Sequence, residues 1–117
     1  MKVTKKHFND YRKEVGRMMK LLCFDDWCVM YSHEKLDGYT AMWDANIPNR
    51  SVVFLLTTEL DDVNGQLLDD ITVMARHEVY EFLLHGMRAE MAKGKTDKET
   101  IARLSHEVVR KLEKLKV

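Results

Sequence analysis

The sequence predicts an α+β domain with the element order α-β-β-β-α-α. Two observations carry that expectation. Apolar residues recur every three to four positions near both ends of the chain, and every second position through its middle. Turn-forming residues fall where the period changes. The arrangement expected is a small antiparallel sheet packed on a long central helix.

The chain has 117 residues, which suits one domain spanning 1–117 with its own core. Hydrophobic residues make up 45% and charged residues 32%, an ordinary globular balance. Nineteen basic and nineteen acidic residues cancel, which argues against binding nucleic acid through bulk charge. No apolar run approaches the roughly 18 residues of a membrane-spanning helix, and no signal peptide opens the chain. Two cysteines, Cys23 and Cys28, are too few for a disulfide framework. The expectation is a reduced, cytoplasmic protein without a membrane partner.

Thr4 is placed to cap a first helix running to about Leu22. Phe8, Tyr11, Val15, Met18 and Leu22 form its apolar stripe. His7, in the first turn, reads as a surface residue. From Trp27 the period drops to two, with Trp27, Val29 and Tyr31 on one side of a strand. Asp37-Gly38 signals a hairpin into a second strand, Tyr39 to Ala45, with Ala41 and Trp43 facing inward. Asn46 to Asn49, including Pro48, turns the chain into a third strand, Ser51 to Thr57. Three strands joined by short turns predict a meander.

The second helix is expected from Asp62 or Asn64 to about Ala92, with Gly94 as its stop. Ile71, Met74, Ala75, Val79, Phe82, Leu83 and Leu84 are its predicted core contacts. Thr96 and Glu99 have the spacing of a capping box for a third helix. Ile101, Leu104, Val108, Leu112 and Leu115 make the inward stripe of that helix.

The chemistry concentrates at Ala75 to His85. At about 100° per residue, His77, Glu81 and His85 lie along one strip, with Glu78 beside it. Buried imidazoles and carboxylates need partners, and a metal ion is one. The pattern is a variant of the H-E-x-x-H zinc helix, in which ligands at i and i+4 face the metal and the glutamate at i+1 acts on water. Here Glu81 takes the place of the second histidine. His-Glu occurs three times, at 33–34, 77–78 and 106–107, so the pair by itself carries no information. The copy at 77–78 differs in lying inside an apolar helix. Pairing of Glu81 with Arg76 or Arg88 is the competing explanation.

The segments Trp27–Tyr31, Ser51–Thr57, Ala75–Leu84 and Ser105–Glu113 resemble the small zincin-like proteins encoded by phages and prophages. Ala75–Val79 and Val108–Glu113 are the specific pieces. The resemblance implies a minimal zincin-like domain, a metallopeptidase fold with a sheet beside the active-site helix and a third metal ligand downstream. It implies host cytoplasm as the location. His106 and Glu107 on the last helix are the candidates for that ligand, and helical geometry does not choose between them. His106 is preferred, because His77, Glu81 and His106 make a two-histidine, one-carboxylate zinc set. Glu78 is the expected catalytic base and His85 a spare.

The implied activity is zinc-dependent hydrolysis of a peptide or protein substrate. An apolar third strand at the sheet edge would hold that substrate in extended form. A zincin fold without catalysis, or a metal-free module that binds a protein partner, are the alternatives.

Overall fold

The computed structural model describes residues 2–46, 48–60, 70–92 and 98–113, with some side chains of the last two helices left out. The elements run α1 (Lys5–Leu21), β1 (Cys28–His33), β2 (Ala41–Asn46), β3 (Ser51–Leu56), α2 (Ile71–Ala92) and α3 (Lys98–Glu113). The described residues are mixed α and β, with three helices and one three-stranded sheet among them. The predicted start of the second helix before residue 70, its stop at Gly94, the Thr96 cap and Leu115 lie outside the described residues.

Thr4 caps α1 as expected, and His7 is more than a surface residue. The Thr4 side chain accepts from the His7 backbone N–H, while His7 Nδ1 accepts from the Thr4 N–H at 3.0 Å. That reciprocal pair satisfies two donors at the helix start. α1 ends through Cys23, whose φ of 63° lies in the left-handed region usually given to glycine. The Phe24 N–H then reaches back to the Met19 carbonyl at 2.9 Å.

The sheet departs from the predicted meander. Its order is β1-β3-β2, with β1 parallel to β3 and β2 antiparallel to β3. Asp37-Gly38 does turn the chain, with Gly38 at φ 81°, but the turn leads across to the far edge instead of into a hairpin. The hairpin is the next connection, β2 to β3. There Asn46 Oδ1 accepts from the Asn49 N–H, and Arg50 takes a left-handed φ of 49°.

Composition explains the order. β3 is the most apolar strand, and the centre is where a strand is paired along both edges. The third strand is therefore interior and is not the edge expected for substrate. β2 and β1, which carry Asp44 and Ser32, take the edges among the described strands.

Val52, Phe54 and Leu56 point from β3 into the core, between Val29, Tyr31 and His33 on one side and Ala41, Trp43 and Ala45 on the other. Tyr11, Val15, Met18 and Met19 come from α1, and Ile71, Ala75, Val79, Phe82 and Leu84 from α2. α3 packs on α2 and adds Val109 and Leu112. The side chains of Ile101, Leu104 and Val108 are not among those described.

Phe82 is the aromatic hub. Its ring lies 5.0–5.9 Å from those of Phe24, Trp27, Trp43 and Phe54, mostly edge to face. Leu83, expected in the core, is instead 37% exposed. One residue step rotates it about 100° from Phe82, out of the interior.

Phe82→Ala is expected to cost about 3–5 kcal/mol in urea unfolding, from lost transfer energy plus a cavity. Leu83→Ala should stay within about 1 kcal/mol. Equal losses for the two variants would contradict this orientation of α2.

Candidate functional site

α2 holds three chemically active side chains together. One donor atom each from His77, Glu78 and Glu81 lies within 4.8 Å of the others. The helix itself produces the group: Glu81 is one turn beyond His77, and His77 Nε2 stands 3.4 Å from Glu81 Oε1. Glu78, one step round the helix, is turned inward and is only 8% exposed.

The second contribution comes from α3. The Glu113 carboxylate contacts His77 Nδ1, so the two ring nitrogens face different acids, Glu113 at one and Glu81 at the other. His77, Glu81 and Glu113 are each partly exposed, so water reaches the group.

The electrostatics follow from this crowding. His77 is pushed up to about 9, by the contact with Glu81 first and also by Glu113, against the opposing effect of burial. Glu78 is pushed up to about 7, mainly by burial and then by the Glu81 charge, with His77 pulling the other way. Tyr11 on α1 feels the same carboxylate. Its hydroxyl is raised above the ordinary tyrosine range by burial and by Glu78, and it donates to the Leu55 carbonyl at 3.3 Å.

Of the residues singled out in the sequence, His77, Glu78 and Glu81 are brought together. His106 and Glu107 are both exposed on α3. They precede Glu113 by about two helical turns, or roughly 10 Å of rise. The last helix does meet the His77 group, but through Glu113, which sequence reasoning missed. The signal was available. Glu113 lies seven residues beyond His106 and therefore on nearly the same face of α3.

His85 stands apart, packing edge-on against Trp43 with ring centroids 5.0 Å apart. Arg76, the expected partner of Glu81, points its Nε toward Glu14 on α1 at 3.7 Å. The side chain of Arg88 is not among those described.

No known protein family, curated protein or solved structure matches this chain. Among the described residues no helix is long and apolar enough to cross a membrane.

The donor set is one that could hold a metal ion. One imidazole and neighbouring carboxylates are ligands that zinc accepts, and one ligand atom of each lies within 4.8 Å of the others. Without metal, a proton is the natural occupant.

A pH dependence follows, and its sign is definite. Both His77 and Glu78 hold their protons more tightly folded than unfolded, so folding takes up protons. Their contribution to stability is present at low pH. It is lost as pH rises through about 7 for Glu78 and about 9 for His77. The urea midpoint of metal-free protein should therefore fall between pH 5.5 and about 9.5. In the double variant His77→Gln/Glu78→Gln the fall should shrink. An unchanged slope would remove these groups as its source.

Proposed function

We propose that the chain is a zinc-dependent, peptidase-like hydrolase, with His77 and Glu81 as metal ligands and Glu78 as catalytic base. The observation that carries the reading is the convergence of His77, Glu78 and Glu81 within 4.8 Å on one helix. The likeness of Ala75–Val79 and Val108–Glu113 to the phage- and prophage-encoded zincin-like proteins supports it.

When bound, zinc would supply positive charge that polarises a carbonyl and acidifies water. The rest falls to the chain. With Glu113 at Nδ1, His77 would donate there and, on giving up its second proton, turn the Nε2 lone pair toward Glu81. Glu78 has its pKa near neutrality, where a carboxylate both accepts and returns a proton efficiently. Extended substrate would add to the outer edge of β2, the edge strand that packs against α2.

A second reading has its own observation. Protonated His77 between Glu81 and Glu113 is a complete ion-pair bridge from α2 to α3. On that reading the group staples two helices, no metal binds, and the protein serves a partner.

Metal analysis of protein purified without chelator separates the two readings. Stoichiometric zinc in wild type, lost in His77→Ala and held more tightly in Glu81→His, is expected for the hydrolase. Equal zinc content in wild type and His77→Ala would end the metal assignment.

Digestion of a peptide library with added zinc tests catalysis. Activity should vanish in Glu78→Gln while zinc is retained. Cleavage that survives Glu78→Gln unchanged would rule out this mechanism. Cleavage seen only in Glu81→His would point to a fold kept for another purpose.

A further inference from the structure

A second concentration of chemistry lies on α1, away from the His77 group. Asn9, Arg12 and Lys13 on that helix and Tyr31 on β1 line an open cavity of about 330 Å³. All four side chains offer hydrogen-bond donors, and among the described residues no carboxylate lines the cavity. The Tyr31 phenol is raised above its ordinary value by burial, so in neutral water it keeps its proton.

Arg12 is held in place without being neutralised. Its guanidinium lies 5.2 Å from the centre of the Tyr31 ring and 5.8 Å from that of Phe8. Phe8 is fixed in turn by stacking on His33, with centroids 4.8 Å apart and planes 7° from parallel. Cation–π contacts orient a guanidinium but leave its charge in place.

Among the described residues neither Arg12 nor Lys13 has a carboxylate within ion-pair distance. Arg17, one turn further on, differs in this respect, because Glu14 receives it at 2.5 Å. Asp10 lines a separate cavity that Lys13 also borders, together with Glu14 and Arg17. Exposed Lys5, Lys6 and Lys20 on α1 extend the positive potential around the site.

A pre-oriented fork of N–H donors, an adjacent ammonium and two neutral donors match a tetrahedral oxyanion of charge two. The volume lies at the low end for small-molecule sites, which run from roughly 300 to 1,000 Å³. That leaves room for a substituent on the anion.

We propose that the Asn9–Arg12–Lys13–Tyr31 cavity binds a small organic phosphate monoester. Arg12 and Lys13 take the phosphate oxygens, and Asn9 and Tyr31 complete the hydrogen bonds. The site is independent of any metal at His77.

The test is a titration of the full chain followed by amide and side-chain NMR at fixed ionic strength. Phenyl phosphate, inorganic phosphate and chloride are the three probes. Saturable shifts centred on Asn9, Arg12, Lys13 and Tyr31 are expected with phenyl phosphate, weaker binding with inorganic phosphate, and no saturation with chloride. Arg12→Gln and Lys13→Gln should each weaken phenyl phosphate binding by roughly tenfold or more, the loss typical of a charged hydrogen-bond partner. Both positions are exposed, so melting temperatures should hold.

Equal affinity for phenyl and inorganic phosphate would overturn the organic substituent. Undiminished binding in the glutamine variants, or the same shifts with chloride, would overturn the site.

Discussion

The structure depends on α2 burying a carboxylate in the same turn that builds the core. Glu78 sits beside Val79, and both are withdrawn from water. A charged carboxylate in that position is costly, so either its pKa rises or a positive neighbour compensates. Both occur here, since burial raises Glu78 and His77 opposes the rise. The position of α2 is set by Phe82, Val79 and Ala75 against the sheet and α1. Rotating the helix to release Glu78 would withdraw those residues from the interior as well. The site is therefore tied to the buried core.

What the sequence revealed was local in origin. Apolar period placed α1, the three strands and the described part of α2, and the Thr4 cap was legible from residue type and position. Strand order was not. Asp37-Gly38 is a sound turn signal, but it specifies a bend and not a partner. Which strand lies beside β1 was decided by where the apolar Ser51–Leu56 segment is best covered, a question of burial across the whole sheet. Leu83 shows the same limit at smaller scale. A helix as apolar as α2 gives little indication of which leucine faces out, and the sheet, α1 and α3 decide it.

The candidate site was legible to the same depth. The spacing of His77, Glu78 and Glu81 is intrinsic to one helix, so the sequence placed the three together without knowledge of packing. The contribution of α3 needed the angle and offset at which two helices meet. Residue spacing marks the face of α3 that Glu113 shares with His106, but neither the angle nor the offset. His106 and Glu107 were attractive because of their residue types, yet the contact falls two turns later, at Glu113, where α3 reaches the level of His77.

Glu113 also bears on how Glu81 would act in the zinc site proposed for α2. In H-E-x-x-H the second ligand is a neutral imidazole. In the proposed site it would be an anion, Glu81, and a further carboxylate, that of Glu113, lies at the far nitrogen of His77. Three acids around one imidazole attract a cation, and a proton on His77 is one answer to that attraction. On the proposed reading, metal would have to displace a proton held more firmly than on an ordinary histidine. The same carboxylates that favour zinc electrostatically favour its competitor. Occupancy should therefore increase with pH across the range in which the proton bridge weakens. Replacing Glu81 by histidine removes one of the anions holding that proton while keeping a donor at the i+4 position. The departure from the usual motif thus acts on the competition between metal and proton before it acts on the geometry of any bound ion.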